Sequence, residues 1–184
     1  EIAQCLVGSE MCIRDSNIIA GTDDWNNATL DAGGNDLRKE GTYTISGESV
    51  RVTNRAQNTR FHFGADKTLV IAKGMTYCAS VLYKLNSGTD SLFLQFETKN
   101  SSGAKSYYGN AFKNAKQDIE LDNGWKLRWA AFTATADGYA DGLFVSTAND
   151  NATVTNDLTI MHPMVQMGNA PTLSLIHISE PTRH

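Results

Sequence analysis

The chain has 184 residues, with 16 basic and 20 acidic side chains and a formal net charge of −4 at pH 7. A chain of this size can form one domain with a substantial core. So small a charge offers no field for recruiting nucleic acid or an anionic membrane, and no apolar run is long enough to span a bilayer.

The two ends of the chain are unlike each other and unlike the residues between them. Written back into codons, LVGSEMCIRDS and LSLIHISEPTR can be encoded by DNA strings that are reverse complements over their whole length. The duplex matches the transposase-type adapter used in sequencing libraries. We therefore interpret residues 1–16 and 173–184 as translated adapter and exclude them from the fold. Residues 17–172 are then expected to form a single domain, cut from a longer reading frame at both ends.

This exclusion changes the charge and the cysteine count. It removes two basic and four acidic residues, which leaves 14 basic and 16 acidic side chains. It also removes Cys5 and Cys12, so that Cys78 is the one cysteine of the predicted domain. A single cysteine indicates no disulfide framework, and redox chemistry leaves the compartment undetermined.

The predicted elements are almost all strands. Residues 17–47 are rich in Asn, Asp and Gly, and predict one short strand at 17–19 followed by a long loop. Further along, runs of Val, Ile, Phe, Tyr and Thr alternate with turn residues, which is typical of an all-β domain. In chain order these runs are ESVRVTNR, RFHFG, GMTYCASVLYKL, SLFLQFETK, KSYYG, GWKLRWAAFTA, DGLFVSTA and NDLTIMHPMVQ. Pro163 cannot donate to a ladder, so the last strand is predicted to lie at an edge or to be bulged there.

Alternation within the runs predicts which side chains are buried. The proposed core faces are Tyr77, Ala79, Val81 and Tyr83; Leu92, Leu94 and Phe96; and Trp125, Leu127, Trp129 and Ala131. One buried and one open face is the pattern of antiparallel sheets. Eight to ten such strands joined by short turns predict an antiparallel β-sandwich or jelly roll.

Catalytic and metal-binding signals are weak. Asp23 and Asp24 form a carboxylate pair that could hold calcium or act in acid–base chemistry, although such loops are usually only solvated. We keep Asp24 as the candidate ligand of a structural calcium ion, and no other cofactor is indicated. His62 and His162 lack partners at zinc-ligand spacing. Without a nucleophile elbow, a phosphate loop or a dinucleotide fingerprint, the domain is predicted not to be an enzyme.

Aromatic residues in polar loops give the more useful signal. Trp25, Tyr107 and Tyr108 are candidates to stack on a sugar ring, although for either tyrosine inward packing is at least as good an interpretation. Gln95 and Arg128 are the candidate hydrogen-bonding partners. Both are predicted on the open faces of strands that belong to one sheet.

Four segments carry a family resemblance, in family order along residues 17–172. They are NIIAGTDDW, GMTYCASVLYKLNSGTDSLFLQFETKNSSG, GWKLRWAAFTATADG and LTIMHPMVQMGNAPT. They resemble the carbohydrate-binding-like jelly-roll modules in tail, baseplate and receptor-binding proteins of phages that infect Gram-positive bacteria. The matching positions are Gly74, Tyr77, Ser80, Lys84, Trp125, Lys126, Phe132, Thr133, Pro163, Gly168, Pro171 and Thr172. These residues mark turns, aromatic positions and the last strand, so the resemblance concerns the fold more than a binding site.

The resemblance implies a galactose-binding-like, carbohydrate-binding-module-like sandwich without catalysis. It implies a module that adheres to cell-wall or surface polysaccharide, in a virion tail or outside the cell. Neither nucleic acid nor a membrane is expected as a partner, because the net charge is small. A homo-oligomer within a tail assembly stays open. Two alternatives also stay open: a structural spacer of a tail fibre, and an accessory binding domain of a cell-wall-active glycoside hydrolase.

Overall fold

A computed structural model describes residues 17, 19, 22, 24–30, 42–54, 57–65, 69–108, 117–149 and 153–171, with backbone alone at 57–58, 106–108 and 148–149. Twelve strands in these ranges form two sheets. Sheet A contains β1 (Thr29–Leu30), β4 (Gln57–Gly64), β5 (Val70–Ile71), β7 (Leu92–Lys99), β8 (Lys105–Tyr108) and β11 (Gly138–Asn149). Sheet B contains β2 (Thr42–Ser46), β3 (Ser49–Asn54), β6 (Thr76–Ser87), β9 (Gln117–Glu120), β10 (Trp125–Thr133) and β12 (Asn156–Met167). The two short helical segments in the described part are 3₁₀ turns at Trp25–Asn27 and Asp122–Gly124, and no helix there is long and apolar enough to cross a membrane.

The predicted antiparallel sandwich is confirmed. The strand order is β1-β4-β11-β7-β8 in sheet A, with β5 paired to β11, and β2-β3-β12-β6-β10-β9 in sheet B. Every pair in the described part is antiparallel. The chain passes from one sheet to the other between β1 and β2, β3 and β4, β5 and β6, β6 and β7, β8 and β9, β10 and β11, and β11 and β12, which gives the jelly-roll topology.

The core fills the space between the sheets with alternate side chains from both layers. The faces predicted on β6 and β7 are confirmed, since Tyr77 to Tyr83 and Leu92 to Phe96 alternate into one buried cluster. Cys78 faces the other way on β6 and is also fully buried. Burial raises the pKa of this thiol to about 12, which leaves it protonated and unreactive at neutral pH.

The alternation predicted on β10 is right, but the face assigned to the core is wrong. Ala130 pairs with Ala79 and Phe132 with Tyr77, and Ala130 and Ala79 both lie in the core cluster. The Phe132 ring stacks on Tyr77 at 5.7 Å. Trp125, Leu127 and Trp129 therefore lie on the outer face of sheet B. Both faces of this strand carry apolar residues, so its own period could not distinguish inside from outside.

The region around β12 corrects two further predictions. The sequence predicted that the strand containing Pro163 lies at a sheet edge or is bulged, and the structure shows the bulge. Strand β12 runs between β3 and β6, and its register shifts between Met161 and Met164. Residues 17 and 19 are not in a strand; instead, the Asn17 side chain accepts from the backbone N–H of Val165 at 3.1 Å. The predicted loop up to residue 47 contains β1 and β2.

Candidate functional site

The outer face of sheet A is the candidate site, because it collects polar side chains from strands that are distant in sequence. On β4, β7 and β11, Phe61, Leu94 and Val145 point into the core. Alternation turns the intervening residues outward, and the register aligns them in rows across the sheet. The side chains of this face that the structure describes include Arg60, His62, Phe93, Gln95, Glu97, Lys99, Lys105, Tyr139, Asp141, Phe144 and Ser146.

Glu97 is the centre of a hydrogen-bonded network on this face. Its carboxylate accepts from Arg60 Nη2 at 3.1 Å, from Gln95 Nε2 at 3.2 Å and from Lys105 Nζ at 3.1 Å. The Glu97 side chain is only 2% exposed. A buried carboxylate that accepts three bonds is well satisfied, and it holds the three donors in place.

Phe144 forms a stacked layer beside this network. The His62 ring lies parallel to the Phe144 ring, with centroids 4.1 Å apart and an interplanar angle of 9°. The Arg60 guanidinium carbon lies 3.7 Å from the centroid of the same ring. This packing fixes Arg60 through a cation–π contact as well as through its ion pair with Glu97.

A β-bulge shapes the other end of the face. The pairing of β11 with β7 shifts between Ala140 and Gly142, which adds Asp141 to the strand. Asp141 accepts from Lys99 Nζ at 2.5 Å, and Lys105 Nζ lies 3.6 Å from its other oxygen. Tyr139 pairs with Lys99, and because Ala140 points into the core, the half-buried Tyr139 belongs to the outer face.

The arrangement suits recognition of hydroxyl-rich ligands. Half-buried aromatic rings lie towards the two ends of the outer face of sheet A: Phe93 lies at one end, and Tyr139 lies beside Lys99 at the other. Phe93 and Lys99 are six positions apart on β7, so the face extends about 20 Å along the strand. Fixed guanidinium, ammonium and amide donors lie between the two rings. An aromatic ring can pack on the C–H face of a sugar while such donors bind its hydroxyl groups.

Three of the predicted glycan-binding positions fall on strands of sheet A. Gln95 lies on the open side of β7, as predicted, and bonds Glu97. Tyr107 and Tyr108 lie on β8, where their backbones pair with Glu97 and Phe96. Their side chains lie outside the described atoms, so their stacking role stays a prediction.

The prediction of Trp25 as an exposed stacking ring is wrong. Trp25 is 1% exposed and packs edge-on against Phe61 and Phe63, with ring centroids 5.2 and 5.3 Å away. Its indole N–H donates to the Glu48 carbonyl at 2.8 Å. The 3₁₀ turn at Trp25–Asn27 folds the ring into the core although its sequence neighbours are polar.

The prediction for Arg128 is wrong in both sheet and face. Arg128 belongs to sheet B, whereas Gln95 belongs to sheet A, and its side chain points between the layers with 1% exposure. Its guanidinium donates to the carboxylates of Asp90 and Asp118, to the Tyr83 hydroxyl at 2.7 Å and to the Leu92 carbonyl at 2.8 Å. Burial alone would lower the pKa of Arg128, but the hydrogen bonds with the two carboxylates outweigh burial and raise it. Arg128 is therefore a charged structural link between the sheets.

Asp24 caps the first 3₁₀ turn. Its Oδ1 accepts from the backbone N–H and the side-chain amide of Asn26, each at 2.9 Å. Asp23 lies outside the described residues, and within the described ones no group of three or more His, Cys, Asp or Glu side chains is placed to hold a metal ion. Calcium binding through Asp24 stays a prediction.

Sequence reasoning missed most of the network. Arg60 and His62 alternate visibly with Phe61 and Phe63, so their outward direction was predictable from the sequence. Their approach to Glu97 and Phe144 depends on β11 entering the sheet between β4 and β7, which no local pattern specifies.

Comparisons with known proteins give structural neighbours only. No family model matches the sequence, and neither does any curated protein. The enzymatically active domain of tailspike protein 4 from bacteriophage CBA120 aligns with a TM-score of 0.50 at 10% identity, over 83% of this chain but only 21% of that one. A xylan-binding domain from Paenibacillus barcinonensis aligns with a TM-score of 0.44 at 14% identity, over 85% and 94% of the two chains. A carbohydrate-binding module from Clostridium thermocellum aligns with a TM-score of 0.43 at 18% identity, over 85% and 95%. The chain is similar to the tailspike domain in fold, and identities this low show nothing beyond the fold.

Proposed function

We propose that residues 17–172 form a non-catalytic glycan-binding module of a phage or prophage tail protein, which holds bacterial cell-surface polysaccharide on the outer face of sheet A. The observation that carries the proposal is the network of fixed donors around Glu97, flanked by the rings of Phe93 and Tyr139. The family resemblance in the sequence supports the tail origin. In this role the protein acts in the virion or outside the cell.

The carboxylates of this face have a structural role in the proposal. Glu97 and Asp141 are each held by two cationic side chains, so each orients donors for the ligand. We therefore expect polysaccharide to bind without being cleaved. Incubation with cell-wall polysaccharide should release no reducing ends.

Binding to polysaccharide purified from Gram-positive cell walls, measured by calorimetry with the full chain, tests the proposal. A few hydrogen bonds and a stacked ring give about −4 to −8 kcal/mol, a millimolar to micromolar dissociation constant. Gln95→Ala should weaken binding several-fold through the lost hydrogen bond, and Tyr139→Ala through the lost ring contact.

Two variants on the opposite sheet serve as controls. Gln117→Ala changes an exposed amide on β9, and Trp129→Ala removes the half-buried ring that pairs with it, on the outer face of sheet B. Both should keep the affinity of the unchanged chain. Absence of binding to any cell-wall polysaccharide would refute the function. Binding lost in Trp129→Ala but kept in Gln95→Ala and Tyr139→Ala would refute the assignment to sheet A.

A further inference from the structure

Charges on the outer face of sheet A are layered, with cations above carboxylates. The side chains of Lys105, Lys99 and Arg60 are 43%, 25% and 20% exposed. Those of Asp141 and Glu97 are only 14% and 2% exposed. A ligand that approaches this face therefore meets ammonium and guanidinium groups first.

These cations are also held in position before a ligand arrives. Lys105 Nζ lies between the two carboxylates, 3.1 Å from Glu97 and 3.6 Å from Asp141. The Glu97 carboxylate also binds Arg60, and the Asp141 carboxylate also binds Lys99. Ordering a free lysine side chain on binding costs conformational entropy, and here much of that ordering is already present.

The face differs in sign from the chain as a whole. Among its described side chains three cations outnumber two carboxylates, whereas the whole chain carries −4. Among the described residues of the face, His62, stacked on Phe144, is the one further side chain that can become positively charged, and its protonation would add positive charge. Local positive potential on an acidic protein favours an anionic ligand at this face over the rest of the surface.

We infer that the outer face of sheet A selects polysaccharides whose sugar units carry anionic substituents, carboxylate or phosphate, over neutral polysaccharides of the same backbone. This inference rests on the proposed glycan-binding function and names its ligand class. Lys105 and Lys99 contact the anionic group, and Arg60 supports the same end of the ligand through its forked donors.

Matched pairs of polymers test the inference with the full chain. Polygalacturonate and its fully methyl-esterified form share a backbone and differ in charge; phosphomannan and its dephosphorylated form provide the phosphate arm. For each pair of polymers that the chain binds, the dissociation constant of the charged form should be about tenfold lower than that of the neutral form at low salt. A tenfold difference is the range expected for a charged hydrogen bond. That advantage should shrink as the ionic strength rises from about 0.01 to 1 M, because salt screens the attraction. The two arms show whether a carboxylate or a phosphate is preferred.

Substitutions show which lysine side chains produce the preference for the charged polymer. Lys105→Gln and Lys99→Gln should each weaken binding of the charged polymer more than binding of the neutral polymer, so that the preference for the charged polymer falls several-fold. Lys126→Gln is the matched control, because this lysine is paired with Glu120 on sheet B at 2.7 Å, and it should keep the full preference. Equal affinity for charged and neutral polymers at low salt overturns the inference and leaves the glycan-binding function intact. Binding to neither form in either arm, nor to cell-wall polysaccharide, overturns both.

Discussion

Arg128 joins the two sheets through its buried guanidinium. The group binds the carboxylates of Asp90 and Asp118, and it also reaches the hydroxyl of Tyr83 on β6 and a carbonyl at the start of β7. Burial chiefly raises the pKa of Tyr83, so the phenol stays neutral and accepts from Arg128 while it donates to a carboxylate. All partners of the guanidinium are thus polar and correctly oriented, which is the condition under which a buried charge is tolerated.

Removing this guanidinium should cost much of the stability. In Arg128→Ala, Asp90 and Asp118 lose their shared cation inside the sandwich, and we expect a loss of about 3–5 kcal/mol in the free energy of unfolding. Urea denaturation followed by tryptophan fluorescence measures it. The control Lys126→Ala removes an exposed ion pair and should keep the midpoint of the unchanged chain. Arg128→Ala unfolding at that same midpoint would show that the buried network contributes nothing.

The contacts of Asp157 allow a prediction of how the free energy of unfolding decreases in acid. The hydrogen bond from Arg51 lowers the pKa of Asp157, burial opposes the shift, and Asn86 adds a second bond that lowers it. The folded pKa is therefore below the unfolded value of about 3.9, so the contribution is complete above about pH 4 and is lost as the pH falls through the folded pKa.

The measurement is the free energy of unfolding between about pH 2 and 6. Asp157→Asn should be less stable than the unchanged chain above about pH 4 and should lose less on acidification. Identical acid profiles for the two chains would mean that the Arg51 contact has no influence on folding.

At the scale of elements, the pairing of β4 with β11 depends on a glycine, because a side chain at that position would displace residues of the proposed glycan-binding face. Gly64 and Gly142 lie opposite each other in the ladder. A Cβ on Gly142 would lie 2.1 Å from His62 Nε2 and 2.6 Å from the Phe63 carbonyl oxygen, whereas one on Gly64 would meet nothing within 4 Å. The close approach of His62 to the backbone of β11 therefore requires glycine at position 142.

This contrast gives a matched pair of substitutions. Gly142→Ala should destabilise the fold by about 1–3 kcal/mol, because the Phe63 carbonyl belongs to the backbone and β4 must shift to relieve the overlap. Gly64→Ala should be neutral or slightly stabilising, because it reduces the freedom of the unfolded chain without a clash. Thermal unfolding of both variants tests the contrast, and equal midpoints would contradict the close packing of His62 on β11.

The elements themselves were largely predictable from the sequence, because a strand's period is a local property. The runs around Tyr77 and Leu94 have one apolar and one more polar face, and their burial was predicted correctly. On β10 both faces are apolar apart from Lys126, Arg128 and the terminal Thr133, and Arg128 is buried because carboxylates from other segments neutralise it.

The candidate site was only partly predictable, because a strand's period is local whereas the pairing of strands is not. Gln95 was found from its own strand, whereas Arg60, Lys105 and Tyr139 join it through pairings between distant segments.

At the scale of the whole molecule, the two outer faces differ in chemistry. The outer face of sheet A carries the ion-paired network, whereas that of sheet B carries Trp125, Leu127 and Trp129 beside Leu82 and Met161. The chain has three tryptophans. Since Trp25 lies in the core and the other two lie on sheet B, none belongs to the proposed glycan-binding face. This separation lets one spectrum report on both sides of the sandwich.

The most direct test is a titration of the full chain with cell-wall polysaccharide, followed by ¹H–¹⁵N correlation spectra. We predict that the backbone amide signals of Gln95, Glu97 and Tyr139 shift with ligand concentration, while the indole N–H signals of Trp125 and Trp129 stay in place. Shifts confined to those two indoles and to the amides of β10 and β12 would contradict the central claim that sheet A binds the glycan.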